Sequence, residues 1–442
     1  MKKIAVIGSG ISGLSAAWLL AKKHDVTLLE KDDRLGGHSN TVSADGHNID
    51  TGFIVYNTKN YPNLVNFFRE LQIDTDPTEM SFSVSMGDGA LEYSGTSVGG
   101  LFAQKSNLLS PSFWKMLMEI RRFYKEAPEI FTAEQTQFIT LGDFLKKGGY
   151  SRELIDNHLL PMGAAIWSTP ASDMMNYPAA TFIRFCQNHG LLQLKDRPEW
   201  RTVQQGSQQY VNKVAKILGD KIKLNTAVES IHPERSGVMV QSRNGSVQRF
   251  DDVVIATHAD QALSMISEPS QMQQKILGSF KYEKNLAVLH SDERFMPKRQ
   301  NAWASWNYLT HSTDDQEKQQ LSMTYWMNRL QNISAQKNYL VTLNPAIQIE
   351  EGTVIRSFPY EHPLFDTAAI AAQHRLWNLQ GQNRLWFCGS YFGYGFHEDG
   401  IQSGLAVAEA LGGLRRPWAH DIRQSRICLP NDWMGAELTR VA

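Results

Sequence analysis

Four short runs along the chain are apolar at nearly every position: Ile4 to Ile7, Val26 to Leu29, Val253 to Ala256 and Leu385 to Cys388. Runs without alternation suit strands buried on both faces of a parallel sheet. Helical spacing follows the first run, from Leu14 to Lys23. It returns at Tyr61 to Leu71, Phe113 to Phe131, Ala179 to Asn188 and Gln208 to Leu218. Other segments alternate. Met80 to Tyr93, Phe280 to His290, Ala302 to Tyr308 and Met323 to Met327 read as strands of a mixed or antiparallel sheet with one hydrophobic face. Thr41 to Asn57 and Val238 to Phe250 read as hairpins, with Asp45-Gly46 and Asn244-Gly245 at their turns. Leu159 to Pro170 is apolar but broken by Pro and Gly, a composition suited to a cavity wall.

These patterns occupy 442 residues, a length natural for two interwoven domains. Composition narrows the picture only a little. Lys and Arg number 44 against 45 Asp and Glu, so no nucleic-acid partner is expected. The three cysteines, Cys186, Cys388 and Cys428, are widely spaced and form no metal or disulfide pattern, which suits a reducing cytoplasm. No apolar run reaches the length of a membrane span, so any membrane contact, on the inner face, would be peripheral. Met1-Lys2-Lys3 and the run after it mimic a signal peptide, but glycines interrupt that run and a second strand follows at once.

The first strand leads into Gly8-Ser9-Gly10-Ile11-Ser12-Gly13, then a helix, then a second strand ending on Glu30. Each residue type has a job in dinucleotide binding. Gly8 permits the tight turn, Gly10 lets a diphosphate approach the backbone, and Gly13 lets helix and sheet pack. Ile11 and Ser12 place their N–H groups at the helix N-terminus, where anions bind. Glu30 suits the adenosine ribose hydroxyls.

The continuation Glu30-Lys31-Asp32-Asp33-Arg34-Leu35-Gly36-Gly37 resembles the extended fingerprint of the amine oxidase, phytoene desaturase and protoporphyrinogen oxidase superfamily. The resemblance implies non-covalently bound FAD, with Lys31, Arg34, Gly36, Gly37 and His38 along the cofactor. His38 stands where relatives often carry Arg. Gly52, in Asp50-Thr51-Gly52, is implied beside the flavin, and Val228 is implied to meet the adenine through its backbone. Leu385 to Leu411 resembles the superfamily's C-terminal flavin motif, which points to Gly389, Ser390, Gly400, Ile401 and Gln402, with Ser390 where many relatives have an acid. An α/β fold is implied, a Rossmann-like FAD-binding domain interwoven with a substrate domain of mixed sheet and helices. The first would take residues 1–57, 200–265 and 380–412, the second 58–199 and 266–379, and 413–442 would be a surface tail.

His397, ahead of the expected helix start near Ile401, is a candidate proton acceptor or a structural residue. Asp399 is a candidate cap. Lys284 is the candidate for the lysine that amine oxidases bridge by water to the flavin, against the plainer reading of a surface lysine. No metal site is expected. Gly37-His38, Ala302 to Tyr308 and Cys388 to Gly404 narrow the resemblance to a bacterial family of NAD/FAD-binding oxidoreductases encoded beside cyclopropane-fatty-acid-synthase-like methyltransferases. That neighbourhood implies a methyltransferase pathway partner and a lipid substrate, an unsaturated or methylated acyl chain from which hydride passes to flavin N5. A soluble amine oxidase, with Tyr391 and Tyr394 as an amine cage, and a non-catalytic flavin-binding redox protein are the alternatives. The helix predicted over Phe113 to Phe131 is read as core or, through Lys115, Arg121 and Arg122, as a lipid-facing surface.

Overall fold

The first apolar run forms β1 (Lys3–Ile7), the central strand of a five-stranded parallel sheet. Its neighbours are β2 (Asp25–Leu29) and β4 (Asp252–Ile255), with β3 (Ile222–Lys223) and β5 (Leu385–Phe387) at the edges. Val6 lies opposite Leu28 on one side and Val254 on the other. All ten residues of α1 (Ile11–Leu20), the connection from β1 to β2, are buried. A helix that is apolar all round belongs in a core, and α1 is pressed between the sheet and α2 (His397–Gly412). Close approach depends on missing side chains. A Cβ on Gly13 would stand 1.9 Å from the Gly8 carbonyl oxygen, and one on Gly404 2.3 Å from that of Ser12.

The structure is a computed structural model that describes residues 1–132, 139–167, 174–188, 190–193, 197–311, 320–418, 425–430 and 439–440. Its fold is α/β, a Rossmann-like parallel sheet joined to a second, larger sheet. That sheet has seven strands in the order 354–364, 281–290, 340–343, 320–326, 306–311, 82–86, 91–94, antiparallel except where 306–311 meets 82–86. One face carries Tyr93, Val84, Tyr308, Met323, Tyr325 and Val341 into an apolar cluster. The other carries a row that alternation alone does not announce. Thr342, Thr324, Asn307, Ser83 and Ser94 stand directly opposite one another across five strands, and each is fully buried. Thr324 Oγ1 and Thr342 Oγ1 share a hydrogen bond (2.8 Å), and Ser83 Oγ donates to Asn307 Oδ1 (2.8 Å).

Several expectations need correcting. The long helix covers Pro111–Glu126 and tightens into a 3₁₀ turn afterwards. Within Leu159 to Pro170, Leu160–Trp167 is helical despite Pro161 and Gly163, and follows a π turn at Ile155–Leu159, where the helix accommodates Pro161, which has no N–H to donate. Residues 168–170 lie outside the described residues. α2 begins at His397 rather than near Ile401, because Phe396 N–H donates to Asp399 Oδ2 (2.8 Å) and starts the helix a turn earlier. The expected surface tail is in part interior. Arg416 and Ile427 are buried, and Arg416 forms a bidentate pair with Glu409 of α2.

Candidate functional site

β1 delivers the chain to Gly8, whose φ of +96° is a conformation side chains resist. Gly8 N–H donates to the Leu29 carbonyl (2.9 Å), which ties the turn to β2. Gly10 caps α1. A Cβ on Gly10 would meet nothing within 4 Å, so this glycine borders open space at a helix N-terminus. Gly37 faces it; a Cβ there would come within 3.3 Å of Gly10 Cα. Glu30 is buried where β2 ends. Its Oε2 accepts from Ser9 N–H (2.8 Å) and Ser9 Oγ–H (2.5 Å), and its Oε1 accepts from Asp32 N–H (3.0 Å). Gly36 N–H donates to Ser9 Oγ (3.2 Å), and Arg34 folds back to donate to the Gly37 carbonyl (2.9 Å). Thr226 N–H donates to the Glu30 carbonyl (2.7 Å), bringing the start of the Val228 strand alongside; Lys31 is exposed.

Directly after Gly37 comes His38, which lies among histidines. A Cβ on Gly52 would stand 2.1 Å from the His38 carbonyl oxygen, so the two backbones touch. The His38 ring stacks on Tyr360 (centroids 4.9 Å) and lies 5.4 Å from His362 and 6.5 Å from His258. Burial first, then the neighbours His362, His258, His397 and Arg34, hold His38 well below the ordinary imidazole pKa. Burial lowers His362 to about 4. His258, stacked on Tyr282 at 4.2 Å, is also lowered by burial, while Asp260 and Glu361 oppose the shift. These rings are therefore neutral at pH 7. His38 Nε2 is buried with no hydrogen-bond partner.

His397, the first residue of α2, is committed elsewhere. Its ring stacks on Phe53 (3.7 Å) and its Nε2 meets Ser39 Oγ (2.9 Å), while burial lowers its pKa to about 3. Gly400 and Ile401 pack on α1, where a Cβ on Gly400 would lie 2.8 Å from Ile11 Cγ2. Gly389 is tied to α2 through Ser403 Oγ, and Ser390 opens a short 3₁₀ turn. Gln402 is bound within the protein, donating to Glu398 Oε1 and accepting from Arg426 N–H. Burial raises the pKa of both Glu398 and Asp399, while the Arg426 guanidinium, 3.7 Å from Asp399 Oδ1, pulls them down. Lys284 lies on an exposed stretch of its strand, opposite Glu361. Gly10, Gly37, Glu30 and Arg34 thus lie together before the α1 N-terminus, His38 and Gly52 adjoin them through touching backbones, Gly400 and Ile401 are packed against α1, and Lys31 and Lys284 are open to solvent. Among the described residues no cluster of His, Cys, Asp and Glu is arranged to hold a metal ion.

Residues 11–335 match the family of flavin containing amine oxidoreductases. The chain belongs to this family. It is 26% identical over 258 residues, 55% of this chain and 54% of the other, to a putative flavin-containing monoamine oxidase of Mycobacterium tuberculosis. It is 47% identical over 51 residues, 11% of this chain and 10% of the other, to a 4,4'-diapophytoene desaturase of Staphylococcus aureus. The chain thus spans about half, or less, of the length of the curated relatives it matches. Wild-type putrescine oxidase, in its putrescine-bound structure, shares the fold with a TM-score of 0.66 at 16% identity, over 93% of this chain and 98% of that one.

The cofactor of this amine oxidoreductase family member is FAD, and the residues around the α1 N-terminus fit it. Gly10 and Gly37 leave a gap free of side chains in front of the α1 N-terminus, as a diphosphate requires. The buried Glu30 carboxylate can accept further hydrogen bonds from ribose hydroxyls. Directly after Gly37 stands His38, with its orphaned Nε2. Sequence reading missed Ser9, which joins Glu30 to Gly36. It also missed His258, Tyr360 and His362 around His38, and Tyr282 stacked on His258. The one local signal was His258, two residues beyond the β4 run; the others stand on two strands that only register brings together.

Proposed function

We propose that this protein is an FAD-dependent oxidoreductase that removes hydrogen from the acyl chains of unsaturated or methylated membrane lipids. The observation that carries the lipid reading concerns the two tyrosines suited to an amine cage. Tyr391 is buried against Phe280 (5.1 Å) and Phe392 (5.0 Å), and Tyr394 already lies under a cation, the Arg426 guanidinium at 6.0 Å. Tyr391 is thus packed within the core, and Tyr394 already has a guanidinium over its ring. The desaturase relative and the resemblance to a family encoded beside fatty-acid-modifying methyltransferases support the same reading. The monoamine oxidase relative favours amine oxidation, which stands second.

Bound FAD supplies a two-electron acceptor for a substrate C–H. The chain's own residues do the rest. Gly10, Gly37, Glu30 and Arg34 would hold the cofactor's diphosphate and ribose, and the N-terminus of α2 would favour negative charge placed near it. Abstraction of two hydrogens from adjacent carbons releases one proton. His38 Nε2 is buried without a partner, whereas His397 Nε2 is held by Ser39, so His38 is the residue assigned to accept it.

Anaerobic titration of the purified flavoprotein tests this. Bleaching of flavin absorbance is expected with unsaturated or methylated phospholipid and not with a panel of amines. His38→Asn is expected to keep its flavin and slow bleaching about 100-fold or more. Bleaching by an amine alone overturns the lipid reading; unaltered bleaching in His38→Asn overturns the role of His38.

A further inference from the structure

Exposed apolar side chains are scattered singly over most of the surface, as is normal for a globular protein. One stretch departs from that. Val98, Leu108, Leu109, Trp114 and Met118 are exposed by 77%, 49%, 89%, 44% and 66%, and all fall within residues 98–118. They form one built feature. Trp114 Nε1 donates to the Leu108 carbonyl (2.9 Å), pinning the 3₁₀ turn Lys105–Leu109 to the helix Pro111–Glu126. Phe102, which follows the short helix Val98–Leu101, packs on Trp114 (5.5 Å) and Phe113 (6.0 Å). Ser97 and Ser110 cap the two helices, so the exposed tip is held in shape.

The helix Pro111–Glu126 shows two chemistries on opposite sides. Phe113, Met116 and Phe123 face the core. Trp114, Met118, Arg121 and Lys125 recur at helical spacing along the outer side, all exposed, apolar in the first half and basic in the second. Of the acids nearby, Glu126 and Glu153 are paired with the cations Arg122 and Lys115, while Glu119 accepts from Ser151 and is the one carboxylate of the helix without a cation among the described residues. Lys105, Arg121 and Lys125 have no ion-pair partner among the described residues. Apolar side chains ringed by uncompensated cations complement an anionic lipid surface: the rings and chains enter the acyl boundary and the cations stay at the headgroups. Behind the tip lies a cavity of about 330 Å³, walled in part by Leu91, Asn107, Phe113 and Met116.

We infer that residues 98–125 form a peripheral docking surface for an anionic phospholipid bilayer, with the Leu108–Leu109 turn and Trp114 dipping into it. This deepens the lipid reading proposed above and rests on it. No helix among the described residues is long and apolar enough to cross a membrane, so docking rather than insertion is the mode.

Co-sedimentation of the full flavoprotein with phosphatidylglycerol–phosphatidylethanolamine vesicles tests the surface. Phosphatidylcholine vesicles and high salt serve as comparisons. Salt-sensitive binding to the anionic vesicles is expected, weakened about ten-fold or more in Leu109→Asp/Met118→Asp and in Arg121→Glu/Lys125→Glu. Val247→Asp, at an exposed apolar site elsewhere, is expected to bind as wild type. Flavin content reports that each variant is folded. Absence of wild-type binding, or equal binding by all variants, overturns the proposal. So does light scattering that shows a dimer dissociated by Leu109→Asp/Met118→Asp, since a second copy would then be the occupant. Detergent-dispersed acyl substrate separates the two readings. If vesicles bind but no dispersed lipid bleaches the flavin, the docking surface stands and the substrate reading falls.

Discussion

The parallel sheet and the seven-stranded sheet solve the problem of a buried interior in opposite ways. Around β1 the interior is apolar on both faces, and packing is so close that a side chain would clash at Gly13, where α1 meets the Gly8 turn, and at Gly404, where α2 meets α1. The seven-stranded sheet buries a line of hydroxyls and an amide, Thr342, Thr324, Asn307, Ser83 and Ser94, satisfied by one another and by backbone. The first region is sensitive to volume, the second to hydrogen-bond count. The nucleotide region does bury polar groups at the two ends of α2, but there they face opposite charge: Asp399, with Glu398 beside it, faces Arg426 at the start, and Glu409 pairs with Arg416 at the end.

Two glycines of one motif give the sharpest contrast. Gly13→Val would press a side chain onto the Gly8 carbonyl, and no folded protein is expected on expression. Gly10→Val meets open space; the expected product is a folded apoprotein with native-like circular dichroism and no bound flavin. Loss of fold in both variants would break the distinction between packing and cofactor glycines.

Charge makes the next largest effect. Arg426→Met leaves Glu398 and Asp399 buried without their cation, and a loss of about 3–5 kcal/mol is expected in urea unfolding. Arg426→Lys is expected to restore part of it. In the seven-stranded sheet, Asn307→Leu strands the partners of a neutral amide: Ser83 Oγ, the Ala304 N–H and carbonyl, and the Thr324 carbonyl. The expected loss is smaller, about 2 kcal/mol. A larger loss at Asn307 than at Arg426 would reverse the ranking of the two regions.

The histidines where the regions meet set the smallest effect. His362 and His397 have folded pKa values of about 4 and about 3, depressed by burial. An unfolded imidazole titrates near 6.5, so acid protonates the unfolded chain first. Their stabilisation is full above pH 6.5 and is lost as pH falls from there, toward 4 for His362 and toward 3 for His397. By pH 6 a loss of about 1 kcal/mol per histidine is expected, read as a lower urea midpoint than at pH 7.5.

Much of the nucleotide region was legible in the chain because its determinants are consecutive. Gly8, Gly10 and Gly13 follow β1 directly, Glu30 ends β2, and each residue's job follows from its place in a turn or at a helix end. His38 was legible as a polar residue beside the cofactor, but not as the centre of a histidine cluster. The strand 354–364 carries Tyr360 and His362 to the His38 ring, and the strand 281–290 carries Tyr282 to His258, placements that only the tertiary structure sets.

By itself the sequence determined what depends on neighbours along the chain: the nucleotide turn, the helices with an apolar stripe, the hairpin at Asp45-Gly46, and the family to which these motifs belong. Tertiary structure decided what depends on partners far apart. Arg426 reaches Asp399 from the end of the chain, Ser39 and Phe53 engage His397, and the polar row joins five strands in one register. Side-chain charge and hydrogen bonding act over a few ångströms in space, and nothing in local periodicity records which distant residue will fill that space.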